Sequence, residues 1–378
     1  MGRTSAFPVS GFLGGVLAAL LTFHSPLTLA HWPGQPSHQF ADLGEFEFER
    51  GGKIENLRLS YVTHGKLNAA KDNAILFMHG FGMNHHQADH LIGPGKPLDT
   101  NKYFIICPDE LGNTQTTFEH STSPTTSGLK MNFPAYNGRD RTTAKYRLLT
   151  QVLGISHLLA VTGISDGAEQ SIQFSVSYPD FMDGSFPISG GAMGGTQAFF
   201  FVPLLLSTIE SCEGWDNGNY NENTAQCATN ALSVLIPYFF TREWWEQYVD
   251  TPEAYTRWRN IWGDYYLDIQ DTRDLYYSAM KWGRGWVGDT PGFNDDLNAV
   301  LGSIKAKTLF IYSPQDQFVP PEYVEIQLNA IPGAKSVAID SNAGHLICCN
   351  ADPQADREMG QAIRAFLEEL LGKRKAGR

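Results

Sequence analysis

Charge is scarce in this chain, and positive charge scarcer. Only 18% of its 378 residues are charged, and 28 Lys and Arg face 40 Asp and Glu, for a net charge of −12. No basic stripe stands out, which argues against a phosphate-backbone partner, so no nucleic acid is expected. Cysteine is sparse too. The five are Cys107, Cys212, Cys227, Cys348 and Cys349, and none is spaced as a zinc ligand set. The glycines of Gly190-Gly191-Ala192-Met193-Gly194-Gly195 form no G-x-G-x-x-G with a following acidic partner. The sequence therefore calls for no nucleotide and no other cofactor. Past residue 30 no stretch reaches eighteen apolar residues without a charge, so no stable membrane insertion is expected of the mature chain. Internal repeats and low-complexity linkers are missing as well.

Hydrophobic residues, at 42%, are enough for a sizeable core. Arg3 followed by the apolar run Gly11–Phe23, with Ala30 closing a short segment, reads as a signal peptide over residues 1–30. The expected location is secreted or periplasmic. In such a compartment Cys212 and Cys227, flanking the polar run Glu213–Gln226, are expected to pair. Cys107 reads as a buried thiol, and Cys348 and Cys349 as reduced core thiols.

Short continuous apolar runs mark central parallel strands covered on both faces: Ala74–Met78, Tyr103–Cys107, Leu158–Thr162 and Thr308–Tyr312. A further strand is expected over 54–63 and another at Ser336–Ile339. Helical spacing falls near 142–154, from Gly167 to Tyr178, from Pro321, and from Ala355 to Leu371. This alternation means a doubly wound α/β sheet. Residues 196–300 interrupt it. They hold seven of the eight tryptophans and carry 15 acids against 6 bases, and Glu243–Val249 and Tyr255–Trp262 look helical. An aromatic helical insert reads as a cap over a pocket, although the same aromatics can serve as the insert's own core. The expected division is 1–30 signal peptide, 31–195 first part of the core, 196–300 cap and 301–378 second part of the core. Trp244, Trp245, Trp258 and Trp262 are candidate pocket residues. If the cap binds the acyl or alcohol portion, deleting 200–295 and bridging the ends should spare the triad but abolish selectivity.

The chemistry gathers at Gly163-Ile164-Ser165-Asp166-Gly167, a G-x-S-x-G sequence directly after one apolar strand and directly before a helix. In that setting a serine is held on a tight strand-to-helix turn, with glycines where a Cβ would clash. A serine nucleophile needs a base, and the base an orienter. In this chain order the acid and then the histidine follow. His345 is the one histidine after Ser165, and Asp316, just past strand Thr308–Tyr312, can orient it. Asp340 is the alternative acid but sits close along the chain to His345. Two oxyanion donors are expected, the backbone N–H of Asp166 and that of Phe81 in His79-Gly80-Phe81-Gly82. His79 reads as a structural histidine. The Asp166 carboxylate either sits at the pocket mouth, disfavouring anionic substrates, or points away and leaves only its amide at the site. Asn84-His85-His86-Gln87-Ala88-Asp89-His90 is a near miss for a two-metal motif, because Gln87 stands where a histidine belongs; no metal is expected.

Several stretches resemble the α/β-hydrolase superfamily, and specifically its homoserine O-acetyltransferase-like branch. They include Leu98–Cys107, Leu111-Gly112-Asn113-Thr114, Val161–Ser165, Tyr178-Pro179-Asp180 and Tyr312–Pro320. The resemblance covers most of 40–195 and 301–372, and it implies the α/β-hydrolase fold with Ser165, Asp316 and His345 as its triad. Two departures bear on substrate. The family's usual Met-Gly-Gly after the serine is Asp166-Gly167-Ala168, and its usual acidic residue after the triad histidine is Leu346. The expected function is a secreted serine hydrolase that cleaves an ester or related small-molecule acyl substrate through an acyl-enzyme. The alternatives are a homoserine-type O-acyltransferase and a non-catalytic binding protein of the same fold.

Overall fold

The structure is a computed structural model that describes residues 36–112, 120–192, 195–221, 225–269, 271–282 and 286–376. The signal-like segment 1–30, Asn113-Thr114, Met193-Gly194 and the side chain of Trp262 lie outside the described part.

Among the described residues ten strands are present: β1 (Gln39–Asp42), β2 (Phe46–Glu47), β3 (Lys53–Ile54), β4 (Arg58–His64), β5 (Ala74–Met78), β6 (Phe104–Pro108), β7 (Leu158–Ile164), β8 (Met182–Ile188), β9 (Lys307–Tyr312) and β10 (Lys335–Ala338). Eight of them form one sheet in the order β1-β4-β6-β5-β7-β8-β9-β10, and β2 pairs with β3 as a small hairpin. From β6 to β10 every pairing is parallel, whereas β1–β4 and β4–β6 are antiparallel. The sequence expected one strand over 54–63. The chain instead turns at residues 55–57, where the Leu57 amide donates to the Gly44 carbonyl, and this separates β3 from β4.

The central strands are apolar throughout because both faces are covered. Along β5, Leu76 and Met78 enter one core with Ile172 and Phe174, while Ile75 and Phe77 enter the other with Ile363 and Leu367. The period-two alternation of a strand thus feeds two hydrophobic layers from one apolar run.

The helices are α1 (Gly138–Arg147), α2 (Asp166–Ser177), α3 (Gly195–Glu210), α4 (Ala225–Ser233), α5 (Arg242–Tyr248), α6 (Pro252–Ile269), α7 (Thr272–Trp282), α8 (Leu297–Gly302), α9 (Pro321–Ala330) and α10 (Pro353–Ala376). Asn137 caps α1 and shares a reciprocal capping box with Asp140. The helix expected to run on to 154 widens into a π-type turn at Leu148–Val152, with the Leu153 amide reaching back to Leu148. Among the described residues no helix is long and apolar enough to cross a membrane.

Among the described residues five helices, α3 to α7, lie between β8 and β9. Of these, α3, α4 and α7 share a core, with Leu205, Ile209, Trp215, Leu232 and Leu275 packed together and reaching Phe318 and Val319 of the core loop after β9. Cys212 and Cys227 form the expected disulfide within this insert. Cys107 is a buried free thiol, as expected, and burial pushes its pKa well up. Cys348 and Cys349 are free thiols with their sulfurs 2.7 Å apart.

Candidate active site

Ser165 sits between the last residue of β7 and the first of α2, with φ +56° and ψ −116°. That backbone conformation is costly for a residue with a Cβ and persists only where its surroundings impose it. Here they do. The Ser165 amide donates to the Ile188 carbonyl at 2.9 Å, and the flanking glycines are mandatory. A Cβ on Gly163 would stand 2.2 Å from the Gly167 carbonyl oxygen, and one on Gly167 only 2.0 Å from that of Met78. The hydroxyl is thus held at the C-terminal edge of the sheet, half-buried and reachable.

His345 and Asp316 converge on it from two other loops. His345 Nε2 lies 2.9 Å from Ser165 Oγ, and His345 Nδ1 lies 2.8 Å from Asp316 Oδ2. The second carboxylate oxygen, Oδ1, accepts the amides of Phe318 and Val319, both at 2.8 Å. Those bonds fix the carboxylate, and with Nδ1–H donating to it, the Nε2 lone pair faces the serine. The three predicted residues therefore form one hydrogen-bonded chain, and Asp340 is turned away to Gln315 at 2.5 Å. The insert takes part in the positioning. The amide of His345 donates to the Phe239 carbonyl at 2.8 Å, and the Phe239 and Phe318 rings flank the imidazole at 5.6 and 4.8 Å.

Phe81 and Asp166 lie on adjoining turns. The Gly80 amide is held by Gln87 Oε1 at 2.6 Å, and Gly80 packs on the Ile164 carbonyl. Among the described residues neither the Phe81 nor the Asp166 amide donates to another group. His79 is buried with Nδ1 3.0 Å from the Gly80 carbonyl oxygen, and burial lowers its pKa, as suits a structural histidine.

The Asp166 carboxylate is not at a pocket mouth, which corrects the first of the two readings of its side chain. It is buried beneath α7, where it meets Arg141 at 2.7 Å and pairs with Lys281 and, at 3.3 Å, with the Trp282 indole N–H. Burial alone would raise its pKa, but Arg141 and Lys281 outweigh that and hold the carboxyl far below the usual range. Glu110 joins the network through Arg141 and Lys145. Burial pushes Lys145 down to about 8, against the pull of Glu110. None of these partners stands out in the sequence, because the charged run of α1 looks like a solvated face.

Of the candidate tryptophans, Trp244 stacks on Phe240, and Trp244, Trp245 and Trp258 otherwise meet Phe240 and one another edge to face. Trp245 also lines a groove of about 380 Å³ beside Gln317, to which Ser165, His345, Phe81 and Asp166 contribute nothing. The tryptophan at the site is Trp282, whose ring stacks on Phe81 with centroids 4.2 Å apart. In the histidine-rich stretch His85 Nδ1 contacts Asp109 at 2.8 Å, and its Nε2 contacts that of His38 at 3.2 Å.

A serine on a strained strand-to-helix turn, a histidine and acid from later loops, and this sheet order define an α/β-hydrolase. The comparisons agree. No family model matches the chain. A Corynebacterium glutamicum protein named "Probable esterase" is 31% identical, with 88% of this chain and 97% of that one covered. A homoserine O-acetyltransferase of Symbiobacterium thermophilum is 33% identical, with 87% and 93% covered. The crystal structure of an acetylester hydrolase from Corynebacterium glutamicum superposes with a TM-score of 0.77 at 30% identity, with 88% and 96% covered. The chain belongs to the α/β-hydrolase superfamily, in the branch that holds homoserine O-acetyltransferases and related esterases. Within that branch it is an esterase-like hydrolase.

Proposed function

We propose that the protein is a secreted serine esterase that hydrolyses small acyl esters through an acyl-enzyme. The observation that carries this reading is the unbroken contact from Asp316 through His345 to Ser165. Ser165 Oγ attacks the ester carbonyl as its proton passes to His345 Nε2. Asp316 stabilises the imidazolium, which then protonates the departing alkoxide. Water, deprotonated by the same nitrogen, releases the acid and restores the serine. The Phe81 and Asp166 amides receive the oxyanion in both tetrahedral steps.

A small acyl group is supported by the resemblance to an acetylester hydrolase. Hydrolysis rather than transfer to homoserine is supported by Leu346, an apolar residue where the transferases carry an acid. Secretion is supported by the apolar run Gly11–Phe23 and by the Cys212–Cys227 disulfide, a bond of oxidising compartments. Residues 196–300 then serve as the cap, between core parts 31–195 and 301–378.

The test is a series of p-nitrophenyl esters from acetate to decanoate, run beside acetyl-CoA with homoserine. The expected result is turnover that peaks at the short acyl chains, with no homoserine acetylation. Acetylation of homoserine faster than ester hydrolysis would overturn the proposal.

A further inference from the structure

We propose that Lys281 and Trp282, consecutive residues at the end of α7, are positioning residues for the oxyanion hole, so that the insert sets catalytic competence as well as covering the site. This rests on the reading that the Phe81 and Asp166 amides are the two oxyanion donors. Each donor residue is held through its side chain by one of this pair. Lys281 Nζ pairs with Asp166 Oδ1, and the Trp282 indole N–H reaches the same oxygen at 3.3 Å. The Trp282 ring stacks on the Phe81 ring at 4.2 Å with planes 28° apart. Two turns that are separate in sequence are thereby tied together by one helix end.

Two physical arguments separate this from ordinary packing. First, Lys281 is buried, and burying an ammonium costs several kcal/mol that an apolar side chain would avoid. An insert that only needed to adhere to the core would do better with leucine. Second, Asp166 brings a full negative charge to the residue whose amide must receive a developing negative charge. Left unopposed, that carboxylate would work against the oxyanion. Arg141, from α1, supplies one opposing charge from the core at 2.7 Å, and Lys281 supplies the other from the insert. The aspartate, the lysine and the indole N–H read as one set.

The remainder of α7 makes the seat firm. Asp274 accepts from Ser123 Oγ and the Thr125 amide at 3.0 Å, Tyr277 OH donates to the Met131 carbonyl at 2.8 Å, and Ser278 Oγ donates to that of Gly112 at 3.1 Å. The helix is therefore anchored to the core along its length before its last two residues meet the oxyanion turns.

The experiment compares Lys281→Met, Trp282→Phe and Trp282→Ala with wild type on p-nitrophenyl acetate. It also measures inhibition by a methyl trifluoromethyl ketone, which adds to the serine and places an oxyanion in the hole. Loss of a whole donor costs about 10²–10³ in kcat, so loosening one should cost on the order of 10–100-fold. Lys281→Met and Trp282→Ala are expected to lose that factor in kcat with KM within about twofold, and ketone binding should weaken in parallel. Trp282→Phe, which keeps the stack but loses the N–H, should fall between. Adding Asp166→Asn to Lys281→Met should restore part of the rate, because the charge to be neutralised is gone. Should Lys281→Met fail to fold, the two Trp282 variants decide. Wild-type kcat in the variants, or a loss that falls on KM alone with ketone binding unchanged, would overturn the inference. Ser165→Ala is run alongside: if it is inert while the α7 variants are normal, only this inference falls, and if it is active, the serine mechanism falls and the inference with it.

Discussion

At the residue scale, the site depends on a few atoms that cannot be exchanged. Asp316 shows this best. It accepts two backbone amides on one oxygen and His345 on the other, so Asp316→Asn keeps the shape but presents an N–H where an acceptor is needed. The expected loss is about 10⁴-fold in kcat with little change in KM, by steady-state kinetics at neutral pH. Gly167→Ala should act on the fold instead. Its Cβ would stand 2.0 Å from a backbone oxygen, and the strain should cost about 1–3 kcal/mol or more, read as a lower urea midpoint. The hydrogen-bonded set Ser165, His345 and Asp316 was legible in the sequence because this fold fixes their order and their places after strands. The side-chain partners of Asp166 were not. Arg141, Lys145 and Lys281 are charged residues in polar segments, and no local pattern tells a buried lysine from a solvated one.

At the element scale, continuous apolar runs declared themselves, since a strand covered on both faces has nowhere to place a polar side chain. Ala74–Met78 coincides with β5, and Leu158–Thr162 falls within β7. The short edge strand β1 and the β2–β3 hairpin carry too few residues for alternation to show. The insert was recognised by its aromatics, yet its contacts with Asp166 were not, because they join residues more than a hundred positions apart. The disulfide within it has a measurable weight. Cys212 and Cys227 close a loop of separation 15, worth about 3 kcal/mol in the chain-entropy model. Replacing both with serine should lower the thermal midpoint of the insert's unfolding in calorimetry, while fresh enzyme at low temperature keeps its kcat.

At the scale of the whole molecule, the insert is bonded to two residues of the candidate site, His345 and Asp166. Phe239 holds the His345 backbone and α7 holds Asp166, so bridging out residues 200–295 should abolish hydrolysis rather than spare the catalytic residues, contrary to the expectation from sequence. The ion network should also contribute to acid tolerance. The Asp166 carboxyl titrates far lower when folded than its unfolded value of about 4, so the stability it adds is complete above that pH and is lost as pH falls toward the depressed value. Urea midpoints measured between pH 2 and 5 should therefore climb more steeply for wild type than for Asp166→Asn. The central claim, an acyl-enzyme on Ser165, is tested most directly by acid-quenching the enzyme during turnover of p-nitrophenyl acetate and mapping the peptides by mass spectrometry. The account predicts one acetyl group on the peptide that contains Ser165, and none in Ser165→Ala. Continued hydrolysis by Ser165→Ala, or an acetyl group carried by another residue on the path to product, would contradict it.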